Sequence, residues 1–280
     1  MTSVATLQTT EPAPARRPVP RRFVMCRPDH FDVRYSINPW MNPDAPVNRA
    51  LALAQWDALR ATFERYGHRV DVVPGEPGLP DMVFAANSGL AVGDRIMSAR
   101  FTHPERAAEG PAFHRWFAGR GADVAAAAEL NEGEGDFALI GGRFLAGTGF
   151  RSSAAAHREV ELHFGIPVVS LELVDPRFYH LDTVLMVLDD TTIAYYPPAF
   201  DETSRTILAG LFPDAVEATD ADAAVLGLNG VSDGYHVFLS PHATDLAAAL
   251  RARGYLPVPV DVSELLKAGG GIKCCTLELH

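Results

Sequence analysis

Two rhythms of apolar and polar residues run through the chain. In residues 48–66 the apolar positions Leu51, Leu53, Trp56, Leu59 and Phe63 keep close to a helical period and predict an amphipathic helix. A second helix is predicted after His103-Pro104, since proline suits a first helical turn, and it carries Phe113, Trp116 and Phe117. Ser152-Ser153 offer cap hydroxyls for a third. A fourth covers residues 201–211, and a fifth opens at Ser240-Pro241 and stops at Gly254.

Between these helices the rhythm shortens to that of strands, two before each helix and one after. Residues 136–147 (DFALIGGRFLAG) read as a hairpin through Gly141-Gly142, followed after the third helix by a strand over 166–173. Residues 184–188 and 192–196, joined through Asp189-Asp190, predict a second hairpin, and 226–228 with 235–239 a third. A strand-strand-helix-strand unit recurring about every fifty residues predicts an α/β fold closed into a five-fold pseudosymmetric propeller, because units without capping repeats must cover one another's edges. The competing pattern is a doubly wound sheet, but Gly269-Gly270-Gly271 precedes a strand-like segment, and no glycine-rich loop leads into a helix as a phosphate cradle requires.

Composition narrows the function classes. A 280-residue chain that is 48% hydrophobic and 21% charged can bury a core without a staple or a metal. A net charge of −11 disfavours nucleic acid and anionic membrane as partners and is compatible with a small cationic substrate. Residues 1–22 mix prolines with Arg16, Arg17, Arg21 and Arg22, lack the apolar stretch of a signal peptide, and predict a disordered tail before a single domain over 23–280. No run of about 18 apolar residues occurs, so no membrane span is expected. Three cysteines, two of them adjacent, make no disulfide framework and point to a reducing, cytoplasmic setting.

The candidate chemistry starts in AGGGIKCCTLELH, where Cys274 and Cys275 follow the three glycines and a lysine. Glycines permit close backbone approach, and Lys273 would favour a thiolate, although two cysteines near a chain end can equally be small core residues. His180 in FYHLDTVLMV opens an apolar strand, either as a core histidine satisfied by Asp182 or as a general acid and base positioned by that carboxylate. Glu132, Glu134 and Asp136 stand in a glycine-rich approach to the central hairpin.

Taken together these segments resemble the guanidino-group modifying enzymes of the pentein fold, the superfamily of arginine deiminases, dimethylargininases and amidinotransferases, over about residues 23–280. The resemblance implies that Cys274 of GGGIKC is the nucleophile, His180 of FYHLDT the proton carrier and Asp182 a substrate carboxylate. The catalytic acid of NEGEGD is Glu132 or Glu134, with Glu132 preferred as the glutamate before the first glycine. Arg151 of TGFRSS, and Arg100 of MSARFTHPER as a second clamp, would hold the substrate carboxylate through planar, bidentate guanidinium groups.

In LPDMVFAANSGL, Asp81 matches the first of two acids that contact the guanidinium in the family, whereas Asn87 stands where the second is usual. Asn38 in VRYSINPWMNP, otherwise a plain turn residue before proline, resembles the subset called arginine dihydrolases, in which two asparagines mark removal of both nitrogens. The resemblance thus implies hydrolysis of arginine to ornithine, carbon dioxide and ammonia by way of citrulline, without cofactor or metal. The alternatives are a dimethylargininase acting on methylated arginine and a non-catalytic arginine-binding protein of the same fold. A metal-dependent guanidino hydrolase ranks last, because the ten histidines show no ligand spacing with paired aspartates. A homo-oligomer is left open.

Overall fold

The structure is a computed structural model that describes residues 16–280. Residues 1–15, within the expected disordered tail, lie outside the described residues. The remainder of that stretch is pinned to the body, in contrast to the expectation. The Arg16 guanidinium pairs with Asp189 and stacks 3.6 Å over the Tyr255 ring, Val19 N donates to Asp233 O at 2.8 Å, and Arg21 N donates to His68 Nδ1 at 3.1 Å. Proline and arginine composition signalled disorder, but Arg16 finds the half-buried Asp189 and an aromatic face.

Strand β1 (Arg22–Cys26) leads to helix α1 (Arg49–Arg65) and back to β2 (Arg69–Val73), which pairs with β1 in parallel. The Asn48 side chain accepts from Leu51 N, and α1 buries Trp56, Leu59 and Phe63. The next unit has β3 (Gly89–Val92), β4 (Arg95–Ser98), α2 (Glu109–Ala118) and β5 (Asp123–Ala126). The third has β6 (Phe137–Ile140), β7 (Arg143–Thr148), α3 (Ala154–Phe164, capped by Ser153) and β8 (Val168–Glu172). The fourth has β9 (Leu185–Val187), β10 (Ile193–Tyr195), α4 (Glu202–Leu211, capped by Asp201) and β11 (Val216–Glu217). After a short helix α5 (Asp220–Ala223) the last unit has β12 (Val231–Ser232), β13 (His236–Leu239), α6 (Thr244–Ala252) and β14 (Leu256–Pro259), and then α7 (Ser263–Leu266) and β15 (Leu277–Glu278).

Every unit is a three-stranded sheet with the same wiring. Its first two strands are antiparallel, and its third returns in parallel through the helix. In the first sheet the antiparallel strand is β15, with Phe23 opposite Glu278, so both ends of the described chain build one blade. Five such sheets give the closed α/β propeller expected from the repeat. No helix among the described residues is long and apolar enough to cross a membrane.

One expected strand is absent. Residues 226–228 form a turn in which Leu226 has φ 48°, and the strand of that hairpin starts at Val231. The segment is apolar because it is buried in the molecule, not because it is extended.

Each first strand is entered through a tight backbone turn. The closing bonds are Asn87 N to Phe84 O (3.1 Å), Asp136 N to Gly133 O (3.0 Å), Val184 N to Leu181 O (3.0 Å), Asn229 N to Leu226 O (3.0 Å) and Cys275 N to Ile272 O (3.2 Å). The turns also touch one another in a circle. Ala86 N donates to Cys274 O, Gly133 packs on Ala86 O, Leu181 N donates to Asp136 Oδ1, Asn229 Nδ2 donates to Asp182 O, and Lys273 N donates to Asn229 O. The candidate chemistry sits on this inner circle.

Candidate active site

Cys274 is buried, and its thiol donates to Asp182 Oδ2 at 3.1 Å. Burial first, and then the Asp182 charge, push that thiol well above the usual cysteine range. Lys273, expected to favour a thiolate, is committed elsewhere: its ammonium donates to Glu134 Oε2 at 2.5 Å and to Thr276 O at 3.2 Å. Cys275 is fully buried, in the core cluster that also holds Phe23, Met25 and Phe238. The glycines before the cysteines are required by what packs on them. A Cβ at Gly269 would lie 2.7 Å from Asn38 Oδ1, and one at Gly270 would lie 2.1 Å from the Phe84 ring.

His180 Nε2 bonds Glu132 Oε2 at 2.8 Å. Glu132 also accepts from Thr102 N at 3.0 Å and from Arg151 Nη1 at 3.3 Å. Burial pushes the Glu132 carboxyl up, but the His180 hydrogen bond and the Arg151 charge together hold it far below the ordinary range. Of the two acids that the sequence leaves open, the structure therefore brings Glu132 to His180. Glu134 bonds Lys273 and His280 instead, and these three line a separate cavity of about 450 Å³.

Asp81, Asn87, Asn38, Arg151 and Cys274 line a second cavity of about 10 Å³, room for roughly one water. Asp81 Oδ2 accepts from Tyr35 at 2.8 Å, and Asn87 Oδ1 accepts from Arg106 Nη1 at 2.9 Å. Asn38 plays its turn role, accepting from Trp40 N, and also donates to Ala268 O at 3.1 Å. Arg151 is tied to Glu132 and to Ile37 O (2.8 Å) and lies 4.6 Å over the Tyr179 ring.

Arg100 does not join them. It is exposed, its guanidinium reaching the Ala128 carbonyl, so the role of second clamp has no support in its position. The arginine of that segment that reaches the cavity is Arg106, bound twice to Glu109 (3.0 and 2.7 Å) and once each to Asn87 and the Asp81 carbonyl. Sequence reasoning also passed over Asn229, whose only signal was an Asn-Gly turn.

Two atoms of this cavity's wall, Asp81 Oδ1 and Asn87 Nδ2, and two of the candidates next to it, His180 Nδ1 and Asp182 Oδ1, the last on the wall of the larger cavity, are buried with no hydrogen-bond partner among the described residues. Leaving a buried donor or acceptor unpaired costs about 1–3 kcal/mol each. Such a concentration marks a place built for a polar ligand, with carboxylate acceptors for a cation and one amide donor.

No family model matches the chain. It is 54% identical over 96% of its length, and 89% of the relative's, to the N(G),N(G)-dimethylarginine dimethylaminohydrolase of Mycobacterium tuberculosis. It is 40% identical over 92% of its length to the bifunctional arginine dihydrolase/ornithine cyclodeaminase AgrE of Nostoc, of which it spans 38%. Among solved structures, the N-terminal domain of ArgZ covalently bound to a reaction intermediate superposes with a TM-score of 0.89 at 36% identity, over 93% of this chain and 98% of that one. The chain belongs to the pentein-fold hydrolase family that comprises the dimethylargininases and arginine dihydrolases.

Proposed function

We propose that the protein hydrolyses arginine twice, releasing ornithine, carbon dioxide and two ammonia molecules at the expense of two waters. In this reading the guanidinium displaces the Cys274 proton from Asp182 and sits against Asp81 and Asp182, whose free oxygens accept its N–H groups. Burial raises both carboxyl groups above their usual range, and a bound cation favours their charged forms. It favours the thiolate for the same reason. Sulfur gives its proton to the unpaired Nδ1 of His180 and attacks the guanidinium carbon, His180 passes that proton to the departing ammonia, and water that gives a proton to His180 then releases citrulline from the thiouronium. Glu132 holds the imidazole through Nε2.

The observation that carries the second hydrolysis is the unpaired Asn87 Nδ2. Arg106 is a pure donor, so its bond to Asn87 Oδ1 fixes the amide with its N–H groups toward the unpaired side. A guanidinium has only donors and nothing to offer them. The ureido oxygen of citrulline does, and a second thiolate attack on the ureido carbon expels the second ammonia and leaves a thiocarbamate on Cys274. Water then frees a carbamate that loses carbon dioxide.

A second reading, dimethylargininase, is favoured by the 54% identity to the mycobacterial relative of that name and by apolar Ile37, Met41 and Phe84 in the cavity wall. Ammonia counted per substrate on arginine, citrulline and dimethylarginine separates the two. Two ammonia per arginine, together with turnover of citrulline, supports the first reading, and dimethylamine released far faster than arginine is consumed supports the second. The three free, buried cysteines fit a reducing cytoplasm as the place of the reaction.

A further inference from the structure

On the inner circle the fourth turn carries Asn229, which no part of the reaction described above uses. Its amide is completely engaged. Oδ1 accepts from Gly271 N and Cys274 N, both at 3.1 Å, while Nδ2 donates to Asp182 O at 3.0 Å and to Cys274 Sγ at 3.1 Å. An amide offers two acceptor and two donor positions, and here all of them are filled. Turning it over would set N–H against two backbone N–H groups, so the orientation is dictated by the network. Asn229 is 1% exposed, which leaves its donor no competition from solvent.

We infer that Asn229 is a further catalytic residue, whose Nδ2 donates a hydrogen bond to the Cys274 thiolate while its Oδ1 fixes the backbone that presents the sulfur. This rests on the reading of Cys274 as nucleophile and extends it. The proton on sulfur now points to Asp182, and that same carboxylate opposes the negative charge left when the proton goes. With Lys273 held by Glu134, the Asn229 amide is the side-chain donor bonded to the sulfur. A donor to a charged acceptor contributes about twice what it gives a neutral one, so the bond strengthens as the thiol ionises and favours the reactive form. It also explains the third glycine of the triplet: a Cβ at Gly271 would lie 2.8 Å from Asn229 Oδ1 and 3.2 Å from its Cβ.

The test compares wild type with Asn229→Asp, which keeps the acceptor for the backbone but exchanges both Nδ2 donor bonds for a charged oxygen beside the sulfur, and with Asn229→Leu, which removes the amide without adding charge. The readouts are the pH profile of Cys274 alkylation by iodoacetamide, followed by mass spectrometry of its peptide, thermal stability, and kcat with KM. The alkylation profile is expected to move up by about one pH unit or more, and kcat to fall roughly 10- to 100-fold with a smaller change in KM. Gly271→Ala, which displaces the amide while leaving every functional group in place, is expected to move the profile in the same direction and serves if Asn229→Asp does not fold. A folded variant with an unmoved profile refutes the inference, even if stability and kcat drop, because that pattern belongs to a purely structural residue. Cys274→Ser run beside it keeps the two claims apart. Its loss of turnover alongside an unmoved Asn229→Asp profile overturns the role of Asn229 alone, and turnover that survives in it overturns the nucleophile and this inference together.

Discussion

Replacing Asn87 with aspartate exchanges the NH2 group and its two N–H donors for a carboxylate oxygen with little change in side-chain shape. Asn87 is 2% exposed, Arg106 Nη1 already sits 2.9 Å from its Oδ1, and that bond survives the change. The first hydrolysis needs acceptors around a cation and is expected to persist. The second needs a donor to the ureido oxygen, and its loss leaves a desolvated carbonyl facing a carboxylate. The unmade bond costs about 1–3 kcal/mol, which slows citrulline turnover on the order of 5- to 150-fold. The new carboxylate also shares Arg106 with Glu109, so burial and crowding raise it. At acid pH, where it begins to protonate and regains an O–H donor, part of the second step should return. The assay follows ammonia, citrulline and ornithine in time from a fixed amount of arginine at mildly alkaline pH. Wild type should reach two ammonia per arginine, whereas Asn87→Asp should plateau near one with citrulline accumulating. A variant that still makes ornithine at the wild-type rate would falsify the role given to the Asn87 amide.

Cys274→Ser should abolish turnover and Cys275→Ser should spare most of it, since Cys275 is packed in the core and only Cys274 touches Asp182 and the cavity; steady-state rates on arginine check this, and equal loss in both variants contradicts it. His180→Ala should lose about 10²–10⁴-fold in kcat with its circular dichroism preserved, as a proton carrier does; an unfolded variant points instead to a packing role. Glu132 has a folded pKa below its unfolded one, so its share of stability is present above the usual carboxylate range and is lost as pH falls through that range and below it. Denaturant titrations of wild type and Glu132→Gln should therefore converge in acid, and a constant gap between them across pH would contradict the assignment.

The fold was legible because its rule is local. The cap at Ser153 and the turn at Gly141-Gly142 stand where residue type places them, and the strand-strand-helix-strand order needs only periodicity. The 226–228 segment was misread because a short buried turn and a short buried strand look alike in composition. Within the site, Cys274, His180 and Asp182 are singled out by the resemblance of GGGIKC and FYHLDT to the family, because their neighbours alone leave the core readings open. Arg106 is not: it closes a short turn just before α2, where nothing in its surroundings separates a buried cation from a surface one. The choice between Glu132 and Glu134 was likewise beyond spacing, since two residues apart on a tight turn sends one side chain to His180 and the other to Lys273. Arg100 and Arg106 share one segment, and the pattern of that segment does not show which way each side chain points.

The shared first blade ties chemistry to topology. Cys274 lies in the turn that delivers β15 to β1, and β15 is held there by pairing with residues from the far end of the sequence. Contacts of such wide sequence separation are the slowest for a chain to form. Four sheets could therefore be in place, with most helices packed and much of the spectroscopic signal of folding present, while the sulfur still lacked Asp182 and Asn229 beside it. Turnover in a refolding experiment is in that sense a detector for ring closure, where spectroscopy reports the blades.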